Sequence, residues 1–261
     1  MTRFCTLISG SSGNATFLSH NNTNILIDCG VSGKQIANYL STINVSPHDI
    51  DYILVTHEHI DHTQGVGVLS RRFDIPIIAS GGTWNKMLIG EIPDKNKIIF
   101  TDRKQIDVGG IGVTPFDIPH DAEEPTSYRF EIGNKYFAVA TDIGHINDSI
   151  KACVCGCETV ILEANYDEAM LINGPYPYPL KKRISGSHGH LCNDDTAVLA
   201  TYMVQNGTKN ILLGHLSKEN NTKDKAFVTV ARELDLNGIN VGKDVNMQVA
   251  SRYETSIVLG A

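Results

Sequence analysis

Residues 52–62 read YILVTHEHIDH, an apolar run that passes directly into four metal-ligating side chains within six residues. YILVT has the character of a buried strand. After it Val66, Leu69 and Phe73 recur at helical spacing, with Arg71 and Arg72 near the end, where cations complement the helix dipole. HEHIDH is therefore expected between a strand and a helix. In extended backbone, residues i and i+2 point the same way, so His57 and His59 are placed to grip one cation; the turn that follows swings Asp61 and His62 toward a second. The competing reading is a solvated polar turn, but such turns draw on Gly, Asn or Ser rather than three imidazoles.

Working outward, three further ligand-type residues follow apolar runs into loops: His120 in TPFDIPHDAEEP, Asp142 in FAVATDIGH and His215 in NILLGHLS. Any one of them alone is more often a satisfied or exposed residue than a ligand. Together they lie where one sheet edge would present them. The expected site has His57, His59 and His120 on one cation, Asp61, His62 and His215 on a second, and Asp142 bridging. Two divalent cations against two carboxylates leave positive charge to stabilise a hydroxide and an anionic substrate. Cations roughly 3.5 to 4 Å apart lower the pKa of a shared water and clamp attacking and leaving oxygens. Water is then the nucleophile, and GSSGN at 10–14 is not the GxSxG elbow of a serine hydrolase.

The chain has 261 residues, 22 Lys+Arg against 29 Asp+Glu for a formal charge of −7, with 41% hydrophobic and 20% charged residues; this excludes intrinsic disorder, collagen and coiled coil. No fixed repeat or linker divides it, so one domain over residues 1–261 is expected. No stretch approaches the roughly 18 apolar residues of a membrane span, and the N-terminus turns polar at Ser9, too early for a secretory signal. A cytoplasmic protein without a membrane partner is expected. Six cysteines are too sparse for a disulfide scaffold, and Cys153, Cys155 and Cys157 lack CxxC spacing, so they read as buried thiols on a helix.

FCTLIS, TFLS and NILIDCG, separated by GSSGN and HNNTN, read as consecutive antiparallel strands; Ser32 then caps a helix carrying Ile36, Leu40 and Ile43. The segment from PIIAS to KYFAVATDIG reads as mostly strands. Later, TVILEA and NILLGHLS read as strands, with one helix from Asn193 to about Asn206 and another through Phe227, Val230, Ala231 and Leu234, stopped by Gly238. The pattern predicts an α/β (α+β) fold with two sheets face to face and helices outside.

THEHIDH followed in order by His120, Asp142 and His215 resembles the metallo-β-lactamase fold. The words SGSSGN, LIDCG, ILVTHEHIDH, PHDAEEP, ATDIG, LEANYD, GPYPYPLKKRI, GHLCNDD and GHLSKENN, from Phe4 to about Asn221, are similar to the YycJ/WalJ group of bacterial nucleases. The resemblance implies a four-layer αββα sandwich, the metal assignments given above, and a dinuclear metal-dependent phosphodiesterase acting as a 5′-to-3′ DNA exonuclease through metal-activated hydroxide. Its cofactors would be two divalent ions, zinc or manganese, with iron also suited to the donor set. It also implies Asp61 and His190 as catalytic residues: His190, in GHLCN, is similar to a histidine of the tRNA 3′-processing nucleases that assists the leaving oxygen. The competing reading makes His190 a histidine before an Asn193 helix cap, and His188 is peripheral to the word. Tyr166 and Cys192 stand where the group has His and Ser. Glu163, Asn165 and Asp28 are expected to orient metal-bound imidazoles.

The implied partner is nucleic acid, in the first place DNA, with no obligate protein partner. GPYPYPLKKRI at 174–184 sets Tyr176 and Tyr178 beside Lys181, Lys182 and Arg183, a stacking platform with phosphate-binding charge; Lys181 and Arg183 are the expected substrate contacts, and a loop that merely packs is the competing reading. Ser12 and Asn14 are expected to border the active site. Three other functions fit the same ligands: an RNA-processing nuclease, a small-molecule ester or lactone hydrolase, and a non-enzymatic module with a closed, four-ligand metal.

Overall fold

Short β-type runs broken by turn residues make the first 27 residues a meander. In the computed structural model, which describes residues 1–256 and 259–260, β1 (Thr2–Ile8), β2 (Ala15–His20) and β3 (Thr23–Ile27) pair antiparallel. Asn21 takes a left-handed φ of 52° at the second turn, a conformation Asn tolerates. From β3 the sheet grows in parallel register through β4 (Tyr52–Leu54), β5 (Ile77–Ser80) and β6 (Lys97–Phe100). Helices α1 (Gly33–Thr42), α2 (Ile60–Thr63), α3 (Val66–Phe73) and α4 (Gly81–Lys86) fill the connections. Ser32 caps α1 in a reciprocal box with Gln35, as its position predicts.

The later chain contributes β7 (Ile106–Val108), β8 (Ile111–Asp117), β9 (Thr126–Ile132), β10 (Lys135–Ala140), β11 (Thr159–Glu163), β12 (Asn210–Gly214) and β13 (Asn246–Val249). A final strand, β14 (Leu259–Gly260), pairs with β1. The two seven-stranded sheets run β14-β1-β2-β3-β4-β5-β6 and β13-β12-β11-β10-β9-β8-β7. In the second sheet β10, β11, β12 and β13 are mutually parallel, connected through α5 (Asp148–Val154), α6 (Glu168–Asn173), α7 (Tyr178–Ile184), α8 (Asn193–Gln205) and α9 (Lys223–Leu236). The α/β class expected from the sequence is thus observed.

The chain forms two compact units, one from Met1–Gly112, Ala122–Thr126 and the segment that starts at Ser251, the other from Val113–Asp121 and Ser127–Ala250. Each has its own apolar core. In the first, Ile36 and Leu40 of α1 and Leu69 of α3 pack with Phe17, Leu26 and Ile53 of the sheet. In the second, Leu199 and Met203 of α8, Ile150 of α5 and Val230 and Leu234 of α9 pack with Val160, Leu162, Ile211 and Leu213. Strands β5, β11 and most of β12 are buried at every successive residue, so both faces of each sheet centre are covered, as parallel strands require. Among the described residues no helix is long and apolar enough to cross a membrane.

Three local expectations are corrected. GPYPYPLKKRI is not a loop throughout: α7 starts at Tyr178, because Pro179 sits in the first turn, where a missing N–H costs no helical bond. The CxCxC thiols do not share a buried helix. Cys153 lies in α5, Cys155 is its C-cap, both are half-buried, and Cys157 alone of the three is buried. The cap of α8 is Cys192 rather than Asn193; its Sγ accepts from Asp195 N at 3.4 Å.

Candidate metal centre

In parallel α/β sheets, loops beyond the carboxyl ends of adjacent strands converge, and ligands collect there. Both units carry their candidate residues at such ends. In the first, Asp28 directly follows β3 and the HEHIDH word follows β4. Asp28 has φ 60°, a left-handed conformation held by its neighbours: its N–H donates to Leu54 O at 2.8 Å. Its carboxylate then accepts from Thr56 N (2.8 Å), Thr56 Oγ1 (2.8 Å) and His62 Nδ1 (2.8 Å).

These bonds fix the tautomers. His62 spends its Nδ1–H on Asp28, so Nε2 is its ligating atom; it lies 3.6 Å from Asp61 Oδ2 and 3.2 Å from Asn14 Nδ2. Thr56 gives its single hydroxyl hydrogen to Asp28 and therefore accepts from His57 Nδ1 at 3.0 Å, which turns His57 Nε2 toward His59 Nδ1, also 3.0 Å away. Two nitrogens each about 2.0 to 2.1 Å from one tetrahedral cation stand roughly 3.3 Å apart, so this pair needs only a slight opening to share an ion. Backbone contacts hold the word in place. Asn14 N donates to Asp61 O (2.8 Å), Cys29 N to His62 O (2.8 Å) and Gly65 N to Cys29 O (2.7 Å). Gly30 permits this packing: a Cβ there would fall 1.6 Å from Asp61 O.

In the second unit Asp142 follows β10, Glu163 ends β11 and His215 follows β12, with Glu163 and Gly214 paired across the strands. Asp142 (φ 61°) and His215 (φ 55°) are both left-handed, as is Asp28. Three such residues at strand ends store backbone strain where chemistry is expected. His120, beyond β8, donates Nδ1–H to Gly189 O at 3.1 Å, which directs Nε2 toward Asp142 Oδ1, 3.8 Å away. His215 Nδ1 lies 3.4 Å and His190 Nδ1 3.8 Å from that same oxygen. One group organises the cluster: fully buried Glu163 accepts at Oε1 from His190 Nδ1 and His215 Nδ1, both at 2.8 Å, and at Oε2 from Ile143 N (2.8 Å) and Leu191 N (3.1 Å).

Burial would raise the Glu163 pKa, but charge on His190 and the hydrogen bonds from His190 and His215 outweigh it, holding the carboxyl well below the usual carboxylate range. Burial lowers the His120 pKa from its ordinary 6.5, with Asp142 opposing, which favours the neutral imidazole that a metal needs. The donor set fits divalent cations. An imidazole anchored at Nδ1 by a buried carboxylate, as His62 is by Asp28 and His215 by Glu163, is the arrangement that orients metal ligands.

The structure thus brings His57, His59, Asp61 and His62 together in one unit, and His120, Asp142, His190 and His215 together in the other. Asn14 reaches His62, while Ser12 lies exposed in the β1–β2 turn. Lys181 Nζ donates to Ile172 O at 2.7 Å, and Arg183 Nε to Asp121, the neighbour of His120. Asn165 Nδ2 donates to His215 O at 2.8 Å and so braces that loop. Thr56 escaped sequence reasoning, although it opens the THEHIDH word. So did Asp121, whose Oδ1 is 3.5 Å from His120 Nε2 and which follows His120 directly. The two departures from the group pattern are partners, since Tyr166 and Cys192 form a β-bridge.

A family model described as a beta-lactamase superfamily domain matches residues 23–215. The exodeoxyribonuclease YycJ of Bacillus anthracis is 39% identical over 242 residues, 92% of this chain and 92% of its own. The exodeoxyribonuclease WalJ of Streptococcus pneumoniae serotype 2 is 39% identical over 258 residues, 97% of this chain and 94% of its own. Among solved structures, the metallo-β-lactamase fold protein YhfI of Bacillus subtilis superposes with a TM-score of 0.74 at 15% identity, covering 98% of each chain; this likeness establishes the fold.

Proposed function

The chain belongs to the metallo-β-lactamase superfamily and, within it, to the family of the YycJ and WalJ proteins; on that basis we propose that it is a metal-dependent hydrolase that removes nucleotides from DNA, working from the 5′ end. The observation that carries this reading is the pair of buried imidazoles, His62 and His215, whose Nδ1 atoms are held by Asp28 and Glu163, leaving Nε2 as the ligating atom. The residues that would hold the metal, zinc or manganese, are His57, His59 and His120 for one divalent ion and Asp61, His62 and His215 for a second, with Asp142 as a ligand they would share. Divalent cations bound there would supply a water nucleophile active at neutral pH and positive charge against the phosphoryl oxygens.

The chain's own groups do the rest. Glu163 accepts from Nδ1 of His190 and fixes the ring, so Nε2 of His190 is the atom that hands a proton to the leaving oxygen. Asp61, beside His62, positions the attacking water as the second catalytic residue. Asn14 and Ser12 border the substrate at the β1–β2 turn, and Lys181 and Arg183 of α7 contact its phosphates. Residues 1–261 act as one domain, a reading supported by the superfamily match, which runs through both units from 23 to 215. The protein's place is the cytoplasm, where the six cysteines would stay reduced.

The test is a matrix of metals against substrates using metal-stripped protein, with duplex DNA, RNA, a lactone and a thioester. The expected result is DNA hydrolysis restored by manganese or zinc and stopped by chelator. Faster turnover of RNA, lactone or thioester under every metal overturns the assignment.

A further inference from the structure

Helices α6 and α7 flank an open cavity of about 460 Å³ for which the metal chemistry has no use. Tyr166, Leu171 and Ile172 line it with Tyr178, and Lys181 and Lys182 stand at its rim. Tyr166 is buried, packed with Leu171 and Cys192, whereas Ile172 and Tyr178 are 69% and 76% exposed. The interior is therefore apolar and aromatic, and apolar surface continues out to its mouth.

The rim is built to a fixed shape. Lys181 Nζ donates to Ile172 O at 2.7 Å, which ties α7 to α6, and Lys182 is left exposed to solvent. Glu168 also lies on the rim, so two ammonium groups face one carboxylate and the mouth is net positive. A planar, largely apolar ring carrying an anion matches this combination: the ring stacks on tyrosine and the anion meets lysine. The cavity is also joined to the candidate centre through the backbone. The last residue of α7, Ile184, accepts at O from His190 N at 2.9 Å, and Tyr166 lies three residues beyond Glu163 on the same segment.

We propose that the α6–α7 cavity is a base-binding subsite: it takes the purine or pyrimidine of one deoxynucleotide against Tyr166 and Tyr178, with the adjoining phosphate at Lys182. The choice of a deoxynucleotide rests on the exodeoxyribonuclease reading. The subsite holds a nucleotide neighbouring the one cleaved at His190, and so sets how firmly the strand is gripped between successive cuts.

The experiment is equilibrium dialysis of 2′-deoxyadenosine 5′-monophosphate and of deoxyribose 5-phosphate, which lacks the base, against the full chain in EDTA. The expected result is that the nucleotide binds about tenfold more tightly than the sugar phosphate. Tyr178→Ala should bring the nucleotide down to the sugar-phosphate level, and Tyr178→Phe should keep the difference. Both changes are at an exposed position, so folding is not at stake. Equal binding of the two ligands, no nucleotide binding at all, or indifference to Tyr178→Ala overturns the proposal. Because no metal is present, failure of the exonuclease assay and failure of the subsite are read separately.

Discussion

Glu163 holds more of the candidate site together than any single ligand does. It is fully buried, carries charge, and accepts four hydrogen bonds, two from imidazoles. Burial of a carboxylate is costly unless every lone pair is used, and here the donors are the residues that must be oriented. Glu163→Gln keeps the shape but removes the charge, and turns one acceptor oxygen into an amide donor. Metal affinity, measured by competition with a chromogenic chelator, should fall by about 10- to 100-fold, with the melting temperature recorded alongside. An affinity within twofold of wild type would mean that Glu163 merely packs. The sequence shows Glu163 as the last residue of TVILE, where orienting a ligand is a fair expectation; that it serves two histidines from separate loops depends on tertiary contacts that spacing does not encode.

At the scale of elements, the ligands sit where parallel strands end, and the loops leaving those ends are held by close backbone contact. The loop after β3 presses on the start of α2 through Gly30, whose hypothetical Cβ would be 1.6 Å from Asp61 O. Gly30→Ala must therefore push Asp61 and His62 away from Asn14. We expect it to cost about 1 to 3 kcal/mol, or roughly 2 to 12 °C in melting temperature for a chain of this size. A melting temperature unchanged within a degree would show that the loop yields freely. Strands and the α8 and α9 spans are legible in the sequence from their apolar period, and α1 from its period and its Ser32 cap together. Helix α7 is not, since Pro177 and Pro179 read as loop residues until the first-turn position of Pro179 is known. The Cys192 cap is hidden for a related reason: Asn193 beside it is the better capping residue by chemistry, but it stands one position too late.

For the whole molecule, the candidate ligands come from four separated stretches of a chain with formal charge −7, so binding of an anionic polymer must rely on local cations rather than on overall charge. The HxHxDH word and the order of His120, Asp142 and His215 made the superfamily legible, and the longer words made the family legible. The α6–α7 cavity was not legible, because its walls come from two helices and from Tyr166 before them, and their packing is a tertiary fact. The most direct test of the account is a 3′-labelled duplex incubated with purified, manganese- or zinc-loaded protein, comparing wild type with Asp142→Asn. Stepwise shortening by the wild type, absent with the variant and with chelator, is the predicted result. A ladder that persists in the variant, or no shortening under either metal, would contradict it.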